Sequence, residues 1–68
     1  MSAQVIAALR RRAEVLETDA ALYGHDPAVA VRYADSVAMA MTVTPSLIRF
    51  AAAEFRKLAE TIEELESP

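Results

Sequence analysis

Residues that could perform acid–base or metal chemistry are few in this chain. There is one histidine, His25, and no cysteine, and the only glycine precedes that histidine in the stretch LYGHDPAV. Asp26 is the only nearby group that could assist His25, and a single histidine cannot build a zinc site within one chain. No glycine-rich phosphate loop and no Ser–His pairing of recognisable spacing is present. The sequence therefore predicts a protein without catalytic activity, cofactor or metal.

Charged side chains are distributed unevenly. Arg10, Arg11 and Arg12 form the one basic cluster, whereas four glutamates and no basic residue follow position 59. The arginines could contact phosphates, but at helical spacing they can also pair with Glu14 and Glu17, which is the interpretation we favour. The glutamates oppose a helix dipole and set the net charge of −3.

Two proline motifs divide the chain. In YGHDP, Gly24 suits the left-handed position after a helix, Asp26 an N-cap and Pro27 a first turn, so His25 lies in an exposed turn. TVTPS repeats the pattern with Thr44 as N-cap. The sequence predicts a single all-α domain over residues 1–68, with helices at about 2–23, 27–41 and 45–66.

Each predicted helix has an apolar row at alternating spacings of three and four residues, which is typical of helices in a small bundle. The rows are Ile6, Leu9, Ala13, Leu16, Ala20 and Tyr23; Ala30, Tyr33, Val37 and Ala40; and Ile48, Ala51, Phe55, Leu58, Ile62 and Leu65.

Apolar residues outside these rows exceed what three short helices can cover. The second helix is apolar on nearly all sides, and such helices are normally buried all round. A chain of 68 residues without disulfides has only a small core. We predict a bundle completed by homodimerisation through the second helix, with these interface residues: Val15, Leu22, Val31, Met39 and Phe50. The alternative is that scattered exposed apolar residues have no role.

One segment favours a second function. Ala34 to Ala51 resembles the helix-turn-helix of bacterial and phage DNA-binding regulators, through the spacing of Ala38, Met41, Val43, Ile48 and Ala51. The resemblance implies DNA contacts by Thr44, Ser46 and Arg49, with Arg10, Arg11 and Arg12 available for phosphates. Thr42 stands where a glycine usually makes the turn, and few basic residues are near. DNA binding is therefore the alternative prediction.

Location and general character follow from composition. No uncharged apolar run of about 18 residues exists, and the arginines of MSAQVIAALRRR follow its apolar residues, so we predict a cytoplasmic protein.

Phrases such as LRRRAEVLE and FRKLAETIEELE resemble short Ala/Arg/Glu-rich helical proteins of high-GC actinobacteria and their phages, a resemblance that implies no activity. We predict a self-associating protein–protein interaction module, a phage or accessory regulator of a host protein.

Overall fold

Three helices account for most of the described chain, as the sequence predicts. The computed structural model describes residues 2–36 and 43–67. Helix α1 spans Ser2–Leu22, α2 spans Pro27–Ser36 and α3 spans Pro45–Glu66. The predicted second helix extended to residue 41, and its residues 37–41, which include Met39, lie outside the described residues. None of the described helices is long and apolar enough to cross a membrane.

Helices α1 and α3 run antiparallel and form the main contact of the fold. Two ion pairs fix their relative direction. Arg10 in the middle of α1 reaches Glu63 near the end of α3, and Glu17 further along α1 reaches Arg56 in the middle of α3, each with a nitrogen–oxygen distance of 2.6 Å. The antiparallel pair makes an elongated molecule of 45 × 22 × 19 Å, which leaves much of each helix at the surface.

The core between these two helices consists largely of alanine. Its buried cluster comprises Ala13, Leu16, Ala20, Ile48 and Ala52. Partly buried residues pack around it: Tyr23, Tyr33, Val43, Ala51 and Phe55. Because an alanine side chain is a single methyl group, it buries little apolar area, at about 0.8 kcal/mol per buried carbon. The predicted row of α1 is confirmed, but the core that it builds is thin.

The buried face of α3 differs from the predicted one. Leu58 and Leu65 were predicted to be buried and are 52% and 80% exposed, whereas Ala52 and Ala59 are fully buried. The buried row therefore runs through positions 48, 52, 55, 59 and 62. Both rows have helical spacing, but the observed row places the single methyl groups of Ala52 and Ala59 against α1 in place of the longer side chains of Leu58 and Leu65, which lets the helices approach more closely.

Helix α2 shows a similar shift. Val29 is not part of the predicted apolar row, yet it is fully buried, while Val31 is 60% exposed. Successive residues on a helix are about 100° apart, so burial of Val29 turns Val31 outward. The exposure of Val31 agrees with the prediction that a single chain cannot cover α2 on all sides.

The turn after α1 does not use a left-handed glycine. The amides of His25 and Asp26 both donate to the Leu22 carbonyl, at 2.9 and 2.8 Å. The backbone of Gly24 lies outside the left-handed region, and a Cβ there would meet nothing within 4 Å. The prediction for Gly24 is wrong, because the two hydrogen bonds to the Leu22 carbonyl close the turn without a positive φ at Gly24.

Both predicted N-caps are confirmed. The Asp26 carboxylate accepts a hydrogen bond from the Ala28 amide at 3.0 Å. The Thr44 hydroxyl accepts one from the Leu47 amide at 3.2 Å, directly before Pro45 in the first turn of α3. Each cap satisfies a backbone donor that has no partner within its helix.

Gly24→Ala should not destabilise the protein. Since the backbone is not left-handed and space is free, alanine should raise the free energy of unfolding by about 0.4–1 kcal/mol, by restricting the unfolded chain. Chemical denaturation followed by circular dichroism measures this. A loss of stability would mean that residue 24 requires a glycine conformation after all.

The position of the buried row on α3 is tested by two adjacent substitutions. Ala52→Leu forces a large side chain between α1 and α3, and should lower the free energy of unfolding by about 1–3 kcal/mol. Ala53→Leu is the matched control, because Ala53 is exposed and leucine and alanine are both good helix formers. Equal effects of the two substitutions on the denaturation midpoint would contradict the observed row.

Candidate protein-interaction surface

Helix α3 has a second apolar row that faces solvent. We call it the α3 stripe: Leu47, Phe50, Leu58 and Leu65, which are 40%, 63%, 52% and 80% exposed. At about 100° per residue, the three leucines lie within about 20° of one another around the helix, and Phe50 lies about 60° to one side. The buried alanines lie about 120–140° away from the stripe. This helix therefore has two separate apolar faces, of which α1 covers one.

The centre of the α3 stripe forms a shallow hollow of about 370 Å³. It is lined by Phe50, Ala51, Glu54, Phe55 and Leu58. Glu54 is the one charged residue in this lining, and its carboxylate lies 3.4 Å from the ammonium of Lys57, one turn further along the helix. The surface is thus apolar with an exposed ion pair at its middle.

The five predicted interface residues do not form one described patch. Val15, Leu22, Val31 and Phe50 are all exposed, which agrees with their selection. However, Val15 lines a hollow against α2, whereas Phe50 lines the hollow on α3. The fifth residue, Met39, is outside the described residues.

Sequence reasoning missed most of the α3 stripe because it assigned Leu58 and Leu65 to the core. A usable signal was present in the spacing. Leu47, Leu58 and Leu65 are separated by eleven and seven residues, which are close to whole numbers of helical turns. A row of this kind beside a second apolar row indicates two contact faces on one helix.

The predicted DNA-contact residues are spread over the molecule. Ser46 and Arg49 are exposed at the start of α3, and the Thr44 hydroxyl caps that helix. Arg11 and Arg12 are exposed on α1, and Arg10 binds Glu63 on α3 rather than a glutamate of its own helix. Arg49 and Glu63 are fourteen residues apart on α3, or about 21 Å. Arg49 and Arg10 are therefore about 21 Å apart along the helix pair.

A buried carboxylate joins α1 to α2. Asp19 is 7% exposed. Its Oδ2 accepts a hydrogen bond from the Tyr33 hydroxyl at 2.7 Å, and its Oδ1 lies 3.6 Å from a guanidinium nitrogen of Arg32. Burial, followed by the hydrogen bond to Asp19, raises the pKa of Tyr33 to about 12. Sequence analysis overlooked Asp19, although an acid between Leu16 and Ala20 lies next to the apolar row of α1.

Two tyrosines extend this cluster to the start of α3. The rings of Tyr23 and Tyr33 lie 6.2 Å apart between centroids, tilted by 55°. The Tyr23 hydroxyl donates to the Val43 carbonyl at 3.0 Å. Within residues 2–36 and 43–67, no group of three or more potential ligands is arranged to hold a metal ion. The contacts of Asp19 and the tyrosines therefore indicate a structural role, which is to hold α2 and the start of α3 against α1.

No protein-family model, curated protein or solved structure matches this chain. A functional assignment therefore depends on the α3 stripe and the chemistry around it.

Tyr33→Phe should lower the free energy of unfolding by about 1–3 kcal/mol at neutral pH, because the buried Asp19 loses a donor. The folded-state pKa of Tyr33 is raised from 10.0 to about 12, so its contribution is complete below pH 10 and is lost as the pH rises towards 12. Denaturant unfolding of both proteins over this pH range measures the difference.

Tyr23→Phe is the matched control, since it removes a phenolic hydroxyl but leaves the Asp19–Tyr33 bond in place. In Tyr23→Phe, the stability that depends on protonated Tyr33 should still be lost as the pH rises from 10 towards 12. A difference between wild type and Tyr33→Phe that stays constant up to pH 12 would contradict the role given to Asp19.

Proposed function

We propose that this protein is a self-associating helical module that acts by binding other protein surfaces, without catalysis. The observation that carries the proposal is the α3 stripe. Large apolar side chains that share one face of a helix are usually covered by a partner, whereas exposed apolar residues scattered singly need no explanation. The leucines of the stripe are not scattered, because they recur at nearly whole numbers of helical turns and so share one face.

The energetics support a reversible association. A chain of this size gains only about 3–5 kcal/mol from its core, and here the core consists largely of alanine. Because the side chains of the stripe are already partly covered, burying each would contribute roughly 1 kcal/mol. Association costs about 4–15 kcal/mol in lost freedom. Four such residues from each chain therefore support a complex that forms and dissociates with concentration.

A non-enzymatic role is supported by what the polar groups do. The one buried charged residue among the described residues, Asp19, is engaged by Tyr33 and Arg32 in holding α2. We further propose a cytoplasmic location, since a chain without cysteine suits a reducing compartment. Regulation of a host or phage protein is part of the same proposal and is supported by composition alone.

DNA binding is the competing function, and the charges give it less support. Specific binding relies on several Lys or Arg contacts with phosphates. Arg49 and Arg10 lie about 21 Å apart along the helix pair, and the net charge is −3. The proposal therefore expects no sequence-specific DNA binding at about 0.15 M salt, a concentration at which exposed charges are screened beyond about 8 Å.

Leu58→Gln tests self-association through the stripe. It replaces an exposed leucine by a polar residue of similar helix propensity, so folding should be retained. If two copies of Leu58 are buried in a dimer, the substitution should raise the dissociation constant about tenfold or more, at roughly 1.4 kcal/mol per decade. Sedimentation velocity over a range of protein concentrations measures the dissociation constant.

Val5→Gln is the matched control, because Val5 is 49% exposed on α1 and lies outside the stripe. It should leave association unchanged. A wild-type protein that stays monomeric at high micromolar concentration would refute self-association. Salt-sensitive enrichment of a defined sequence from a random DNA library, lost on Arg49→Ala, would favour the competing function.

A further inference from the structure

We propose that the occupant of the α3 stripe is the α3 stripe of a second copy of this chain, lying antiparallel to it. This inference rests on the proposed function and specifies its partner, contact surface and orientation. The charge pattern of α3, the position of its exposed ion pair and the length of the stripe all support the antiparallel arrangement.

The charges of α3 change sign along the helix. Residues 45–57 contain Arg49, Glu54, Arg56 and Lys57, and residues 58–66 contain four glutamates and no basic residue. A parallel pair would place the acidic halves of both copies together. Arg56 and Glu63 are paired with α1, and the remaining charges still leave residues 45–57 net positive and residues 58–66 net negative. An antiparallel pair places these unlike halves together and also opposes the two helix dipoles. Electrostatics therefore favours the antiparallel pair.

The ion pair between Glu54 and Lys57, at the middle of the stripe, also favours antiparallel over parallel pairing. Glu54 lies within about 40° of the leucines of the stripe, whereas Lys57 lies further round the helix, on the side that carries Phe50. In a parallel pair, equal positions face each other, so Glu54 would meet Glu54 of the second copy. In an antiparallel pair related by a twofold axis, the same flank of both helices meets with the order reversed, and Glu54 lies near Lys57 of the second copy.

The two ends of the stripe fix the register. Leu47 and Leu65 are equally distant from position 56, so an antiparallel pair centred there places Leu47 against Leu65 of the second copy at both ends. In this register Lys57 lies opposite position 55 of the second copy, one residue from Glu54. The contact runs from residue 47 to residue 65, a rise of about 27 Å. It would cover Leu65, the most exposed residue of the stripe at 80%.

A charge-exchange experiment tests the pairing of Glu54 with Lys57. Glu54→Lys and Lys57→Glu each place like charges opposite each other in the homodimer, and each should self-associate roughly tenfold more weakly than the wild type. An equimolar mixture of the two variants should recover association, because unlike charges then meet between chains. Sedimentation velocity at low salt measures all three samples, and circular dichroism verifies helix content.

The mixture separates a contact between chains from one within a chain. Each single variant also loses the internal Glu54–Lys57 pair, and mixing cannot restore that pair. If both variants associate weakly and the mixture does not recover, the proposed interchain pair is refuted. If the single variants associate as strongly as the wild type, the stripe does not pair through these charges and the inference fails.

Disulfide cross-linking tests orientation and register. The chain has no cysteine, so Leu47→Cys and Leu65→Cys each introduce a single thiol. The antiparallel register predicts that oxidation of the mixed variants gives a heterodisulfide, whereas Leu47→Cys alone gives little covalent dimer. Efficient cross-linking of Leu47→Cys to itself would demonstrate a parallel pair and overturn the inference.

The experiments distinguish failure of this inference from failure of the proposed function. A wild-type protein that is monomeric at every concentration contradicts both. A wild-type dimer whose charge-exchange mixture does not recover, or whose thiols cross-link in the parallel pattern, contradicts the antiparallel pair and leaves self-association standing.

Discussion

The close contact of α1 with α3 through alanine is the constraint on which the rest of the structure depends. Ala13, Ala20, Ala52 and Ala59 have almost no exposed surface, because their methyl groups allow the two helices to approach closely. A contact of this kind is narrow. It covers one side of each helix and cannot also cover the leucines beside it, so packing by small residues directly produces the exposed row on α3.

Polar contacts around the edge of the α1–α3 interface add to the stability of this helix pair. Ion pairs between Arg10 and Glu63 and between Arg56 and Glu17 connect α1 and α3, and exposed pairs of this type contribute only about 0.2–1 kcal/mol each. The Arg56 guanidinium lowers the pKa of the Glu17 carboxyl, mainly through their hydrogen bond. The hydrogen bond from Tyr33 to the buried Asp19 contributes in a different way. Removing either residue leaves the other without this hydrogen bond in the protein interior, which costs more than the loss of an exposed ion pair.

This division of roles connects the fold to the proposed function. One face of α3 holds the chain together through small residues and ion pairs. Another face presents large apolar residues, and the charges of the helix complement those of a second α3 that runs antiparallel to it. A single long helix thus supports both folding and recognition. The thin core limits what the monomer gains by itself, so covering the α3 stripe would add stability at the same time as it forms a complex.

The sequence by itself determined the helices, their caps and the apolar row of α1. Asp26, Thr44 and the prolines that follow them act through local backbone geometry, and local effects can be read from adjacent residues. Only the tertiary structure decided which row of α3 is buried, that Val29 is buried, and that Gly24 is not left-handed. Residues 51–53 are all alanine and satisfy either row. The choice depends on how closely a distant helix can approach, which no local pattern contains.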